Sequence, residues 1–154
     1  MKPWTFTNAL LDRIAALLPD PLLLGIRFYW GWQFFQTGKG KLEDISAPTA
    51  FFTELGIPFP QLNAILAGST ECLGGLLLLI GLFSRIVTVP LMFTMIVAYL
   101  TAHLDVVKTI WSDSDSFVTA APFLFLLASL IIFTFGPGKF SIDNELRRRN
   151  ALDN

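Results

Sequence analysis

The chain has 154 residues, of which 53% are hydrophobic and only 15% charged, and its mean hydropathy is +0.60. An ordinary soluble domain carries about 25% charged residues. Disorder is excluded by 15 Phe, 4 Trp and 2 Tyr, a basic nucleic-acid surface by a formal net charge of -1, and a disulfide framework by a single Cys.

In chain order, the apolar residues Phe6, Leu10, Ile14, Leu17 and Leu18 recur at helical spacing with Asn8, Asp12 and Arg13 between them. This pattern predicts a short N-terminal interfacial helix. A hydrocarbon core about 30 Å thick needs roughly 20 apolar residues per helix, and four stretches qualify: residues 22–38, 62–83, 86–104 and 117–135. The first is short and holds Arg27, the second is interrupted only by Glu71, the third is uncharged before His103, and the fourth is uncharged throughout. Between the first two, Pro48 to Leu55 predicts a helical turn stopped by Gly56-Ile57-Pro58-Phe59-Pro60. Pro58 and Pro60 push Ile57 and Phe59 toward extended geometry. With Phe51, Phe52 and Phe59, the segment is apolar enough to fold back over the bundle as a periplasmic lid. The expected architecture is all-α: one integral membrane domain over residues 1–154, built as a four-helix bundle with an interfacial helix and a lid. The first 20 residues include Asp12, Arg13 and Asp20 and do not read as a cleavable signal peptide.

Orientation follows from Lys and Arg in the short connections. Lys2, Arg13, Arg85, Lys139, Arg147, Arg148 and Arg149 fall on the side of the termini, against Lys39, Lys41 and Lys108 on the other. Both termini are therefore expected in the cytoplasm, with Arg147 to Arg149 as a topology anchor.

Arg27 followed by Trp30-Gly31-Trp32 and Gly38-Lys39, then Gly56-Ile57-Pro58, Glu71-x-x-Gly74-Gly75, Gly81-Leu82-x-Ser84-Arg85 and Gly136-Pro137-Gly138-Lys139-Phe140-Ser141-Ile142-Asp143 form an ordered set from about residue 22 to 146. In this order they resemble the DoxX family. The resemblance implies a four-helix protein of the bacterial or archaeal cytoplasmic membrane. Some relatives are subunits of thiosulfate:quinone oxidoreductase, and others belong to membrane redox or oxidative-stress assemblies. It brings no agreed catalytic residues.

Glu71 is the most informative position, because a mid-span carboxylate costs about 2.5–3.5 kcal/mol on insertion scales. Ala64, Gly68, Gly74 and Gly75 share its face and form a small-residue packing surface. It reads either as a proton-handling or ligand-orienting carboxylate or as a structural acid. Arg27 is its natural partner as an intramembrane polar pair. Taking the span midpoints at Trp30 and Cys72, Arg27 lies about 4–5 Å toward the cytoplasm and Glu71 about 1–2 Å toward the outside. Their side chains lean apart from there, so a direct pair and an Arg27 that snorkels to headgroups stay open alternatives. Trp30, Gln33, Tyr99 and His103 are the candidate wall of an outward-opening apolar pocket, against the plainer reading of core aromatics and interfacial anchors. One His and one Cys exclude a haem, iron–sulfur or closed zinc site within the chain, so no metal and no intrinsic cofactor are expected. A quinone is the hydrophobic ligand the resemblance suggests. The functional expectation is a membrane subunit of a quinone-linked redox assembly, in contact with the bilayer, with a redox partner protein or a second copy, and with no nucleic acid. The alternatives are a lipid or small-solute binding or transport protein and a membrane scaffold.

Overall fold

The computed structural model describes residues 3–152, with the side chains of residues 3–8 and 10 outside the description. Among the described residues there are α-helices and no strands: α1 (Pro3–Leu17), α2 (Pro19–Glu43), α3 (Ser46–Glu54), α4 (Pro60–Ile80), α5 (Ser84–Ala102), α6 (Leu104–Lys108), α7 (Ser114–Thr119), α8 (Ala121–Phe135) and α9 (Ile142–Leu152). Two of them, α4 and α5, are long and apolar enough to cross a membrane.

The N-terminal helix forms, and its Leu11, Ile14 and Leu17 are exposed; Phe6 and Leu10 lie outside the described side chains. The stretch expected at 22–38 is longer in both directions. Pro19 and Pro21 suit a helix start, where their missing N–H groups would have no partner. At the other end Gly38 and Gly40 do not stop α2, because packing against α4 outweighs their low propensity. The continuous fourth stretch, by contrast, is broken. Ala120 is extended (φ −61°, ψ 138°) and separates α7 from α8. Pro122 has no N–H for the Val118 carbonyl and its ring would clash there, so the helix restarts with Pro122 in its first turn.

Between α2 and α4, α3 begins two residues before Pro48 and packs on α4. Gly56 (φ +69°) ends it. Phe59 is left-handed (φ 48°, ψ 57°) and not extended as expected. Asn63 holds this turn, donating its amide N–H to the Phe59 carbonyl at 3.0 Å and its side-chain Nδ2 to the Pro58 carbonyl at 2.7 Å.

The contacts run from α2 to α4, α4 to α5, α5 to α8, and α8 back to α2. The α2–α4 contact is antiparallel and glycine-lined. A Cβ on Gly31 would come within 3.0 Å of the Gly75 carbonyl, one on Gly75 within 2.6 Å of the Gly31 carbonyl, and one on Gly38 within 2.6 Å of the Gly68 carbonyl. Gly74 faces the other way, onto Leu91 of α5. Phe34, Leu78, Val87, Leu91, Met95 and Ile132, from four helices, make one buried apolar cluster. Such close backbone approach gains dispersion and needs small residues on both helices.

Candidate functional site: buried charges at two levels of the fold

The glycine register sets which charges meet. Gly31 lies opposite Gly75 and Gly38 opposite Gly68, so Glu71 on α4 lies level with about Phe35, within reach of a long side chain from the last turn of α2. There Lys41 Nζ donates to both carboxylate oxygens of Glu71 at 2.6 Å. Glu71 is 1% exposed, whereas the Lys41 side chain keeps 31% of its surface open. The pair thus joins a fully buried acid to a lysine whose side chain is partly open. An ammonium has three donors, so Lys41 can hold the carboxylate and still address a second acceptor.

Arg27 lies at the opposite level. With Gly38 opposite Gly68, Glu71 lies level with about Phe35, eight residues further along α2 than Arg27 and about 12 Å away at 1.5 Å per residue, and its carboxylate is bonded to Lys41 instead. Neither sequence alternative describes it. Arg27 is 1% exposed, not snorkelling, and donates from Nη1 to the Pro137 carbonyl at 2.5 Å and from Nη2 to the Phe140 carbonyl at 2.8 Å. Its Nε is buried with no partner among the described residues.

Those carbonyls belong to a clasp that closes this end of the molecule. Gly136 and Gly138 take positive φ (81° and 76°), which only glycine adopts readily, and turn the chain after α8 back across α2. Asp20 accepts from the Lys139 backbone at 2.9 Å and pairs with Lys139 Nζ at 2.9 Å. These hydrogen bonds hold the Asp20 carboxyl below its ordinary value of 3.8. Asp143 caps α5 from a distance, accepting from Phe83 N at 2.7 Å and Ser84 N at 2.8 Å. The Asp143 amide in turn donates to the Gly81 carbonyl at 3.0 Å. Gly81 (φ +71°) is doubly constrained, since a Cβ there would come within 2.6 Å of Arg27 Nη1 and 2.7 Å of the Ser141 Cβ. Arg85 Nη2 donates to the Thr134 carbonyl at the end of α8 (3.2 Å).

Of the four pocket candidates, Trp30 and Gln33 lie on α2, and Tyr99 and His103 lie at the end of α5. Trp30 sits edge-on to Phe125 of α8 at 4.9 Å, and Phe34 meets the same ring at 4.7 Å. Gln33 is half-buried on α2. Tyr99 stacks on Phe117 at 4.8 Å and donates its hydroxyl to the Phe117 carbonyl at 2.8 Å; His103, half-buried where α5 ends, meets Tyr99 edge-on at 6.1 Å. The Tyr99 hydroxyl proton is therefore engaged with the backbone before any ligand arrives. Ala64, Gly68 and Gly75 are buried, Gly68 and Gly75 against α2, and Gly74 is buried against α5. Cys72 is a free, half-buried thiol on α4, and among the described residues no group of three His, Cys, Asp or Glu gathers that would hold a metal.

The sequence alone did not single out Lys41, Asp143 or the carbonyls that hold Arg27 as site residues. For Lys41 a signal existed. Gly31 and Gly38 are seven residues apart on α2, and Gly68 and Gly75 seven apart on α4; matching these two pairs fixes the register and brings Lys41 to Glu71.

Two long apolar helices, a buried carboxylate paired with a half-buried lysine, and glycine-lined helix contacts define a small helical membrane protein. The comparisons agree. The DoxX family pattern matches residues 22–104. An "Uncharacterized membrane protein Rv3486" of Mycobacterium tuberculosis is 30% identical over 139 residues, covering 84% of this chain and 83% of its own. An "Uncharacterized protein" of Haemophilus influenzae is 26% identical over 134 residues, covering 82% of this chain and 83% of its own. The chain belongs to the DoxX family. No solved structure matches it.

Proposed function

We propose that this DoxX-family protein is a single-domain, multi-pass subunit of a membrane redox assembly, with α2, α4, α5 and α7–α8 crossing the bilayer, both termini in the cytoplasm and α3 covering the periplasmic end. In this reading the Lys41–Glu71 pair, and not the Trp30, Gln33, Tyr99 and His103 set, receives a hydrophobic ligand with an oxygen acceptor, such as a quinone. The observation that carries the site is the asymmetry of the pair: a carboxylate at 1% exposure fixes a lysine whose side chain is still 31% open. Ionisable groups within membrane helices are costly and typically mark a binding or proton pathway. A quinone bound there would bring the electron chemistry. The chain's own residues supply Lys41 as hydrogen-bond donor and Glu71 to fix its position. The redox part of the proposal rests on the family resemblance. A scaffold that dimerises through Ala64, Gly68 and Gly75 is less well supported, because these residues are buried within the chain, Gly68 and Gly75 against α2.

The test is native mass spectrometry of the protein released from its own membrane in mild detergent. A stoichiometric adduct of quinone mass that is absent from Lys41→Met and present in Tyr99→Phe supports the proposal. A bare chain, or an adduct unaffected by Lys41→Met, refutes it. An adduct of phospholipid mass with the same dependence on Lys41 would move the function to lipid or small-solute binding.

A further inference from the structure

The clasp end carries a second feature that the Lys41–Glu71 pair does not involve. A cleft of about 280 Å³ opens between the start of α5 and the face of α9, with Phe83, Arg85, Ile86, Asp143, Leu146 and Arg147 on its walls. Its polar and apolar parts are separated. Arg85 is held on one side by the Thr134 carbonyl and Arg147 on the other by the Asp143 carbonyl, each through one nitrogen at 3.2 Å. A guanidinium has five N–H donors, so both keep donors for a ligand. Asp143 lies on the same wall and stays anionic while it accepts the first N–H groups of α5, so it offsets one of the two charges and leaves the three groups with a net charge of about +1. Arg148 and Arg149, by contrast, are paired with Glu145. The apolar part is wet in isolation: Phe83 is 55% and Ile86 70% exposed, although they flank the first turn of a helix long and apolar enough to cross a membrane.

We propose that this cleft binds the phosphate headgroup of one anionic glycerophospholipid of the cytoplasmic leaflet. Arg85 and Arg147 meet the phosphate, and Phe83, Ile86 and Leu146 meet the glycerol and the first acyl carbons. Two fixed cations beside exposed aliphatic and aromatic surface, at the end of a membrane helix, match a molecule that is anionic at one end and apolar at the other. Basic pockets at the cytoplasmic ends of membrane helices recognise such headgroups in general. The site rests on α5 crossing the bilayer with its N-terminus inward and is independent of any ligand at Lys41.

The full chain, delipidated in mild detergent, is titrated with dioleoylphosphatidylglycerol, dioleoylphosphatidylcholine or inorganic phosphate, and retention is read by native mass spectrometry. One phosphatidylglycerol per chain is expected, with phosphatidylcholine held at least roughly fivefold more weakly and a loss of roughly fivefold to tenfold for Arg147→Gln. The Arg148→Gln, Arg149→Gln double variant should bind like the wild type. Because Arg85 also ties α8, Arg147→Gln is the primary variant and its thermal midpoint is checked alongside. Equal retention of the two lipids, an unaffected Arg147→Gln, or equal loss in the double variant overturns the site. Inorganic phosphate that alone prevents lipid retention at equal concentration overturns the lipid as its occupant.

Discussion

Replacing Gly38 by Ala tests the α2–α4 contact on which the Lys41–Glu71 site depends. The added Cβ would lie 2.6 Å from the Gly68 carbonyl oxygen and 2.8 Å from the Cys72 Cα, where ordinary contact begins near 3.4 Å. These atoms and the Cys72 amide nitrogen, which is nearer still, are all backbone, so no side chain can rotate away and the helices must part by about 1 Å. A gap of that size forfeits roughly a quarter to a half of the dispersion between the facing atoms. Overpacking of this kind costs about 1–3 kcal/mol, offset by up to about 1 kcal/mol from the higher helix propensity of Ala. Rigid obstacles favour the upper part of the range, for a net loss of about 2 kcal/mol. In a chain of this length that lowers the thermal midpoint by roughly 4–8 °C. Gly40→Ala is the control: it lies on the same helix, two residues on, with open space around its added Cβ, and should leave the midpoint unchanged or raise it. Thermal unfolding of both variants in the same detergent decides the matter. If Gly38→Ala is as stable as Gly40→Ala, the close register of α2 on α4 is wrong, and the placement of Lys41 against Glu71 falls with it.

Lys41→Met leaves Glu71 buried without its cation and should cost about 3 kcal/mol, the low end of the range for a broken buried pair because Lys41 is partly open; the Lys41→Met, Glu71→Leu double variant should recover most of that loss in thermal unfolding. Arg27→Leu removes two charge-assisted bonds to the Pro137 and Phe140 carbonyls, each contributing about 1.5–3 kcal/mol, and should sharply reduce folded protein recovered by size-exclusion chromatography, whereas wild-type recovery would refute the clasp. Asp143→Asn turns one acceptor toward the α5 amides into a donor, so a loss of about 1–2 kcal/mol and a lower thermal midpoint are expected. The Asp20 carboxyl is held below its ordinary value by Lys139; its contribution is complete above that value and is lost as pH falls through the lowered one, so Asp20→Asn should reduce stability at neutral pH and converge with wild type in strong acid. An unchanged difference at pH 2 would refute that assignment.

The helices were legible where one signal dominated. Long apolar runs, one interrupted only by Glu71, located α4 and α5 to within a few residues, and the spacing of Ile14, Leu17 and Leu18 marked the N-terminal helix. Legibility failed where tertiary contact overruled a local rule. Gly38 and Gly40 look like a helix end, yet α2 continues through them because Gly38 is needed against Gly68. Pro122 looks tolerable at the edge of a long run, yet its missing N–H divides α7 from α8. The charges show the same limit. That Arg27 and Glu71 are costly was readable from their neighbours, but their partners depend on helix register and on a turn more than a hundred residues away.

That distance divides the fold into two differently constrained ends. At the clasp end, Asp20, Arg27, Gly81, Ser84 and Asp143 are joined to segments 59 to 119 residues away in sequence, so α2, α5, α8 and α9 are fixed against one another. At the other end the short helices α3, α6 and α7 are fastened largely by bonds spanning two to five residues, such as Asp113 to Ser116 and Thr49 to Ile45. Local bonds can open without disturbing the core, whereas long-range ones cannot. Lys41 and Glu71 lie toward this loosely tied end, beneath the α2–α3 turn. Two requirements that conflict in one place are thus met in two: a buried carboxylate needs rigid helices to hold its cation, and a ligand for that cation needs a segment that can move aside. The glycine contacts supply the first, and under the proposed function the locally bonded α3, α6 and α7 would supply the second, so that a hydrophobic ligand would enter by the exposed flank of Lys41 and not by the clasp.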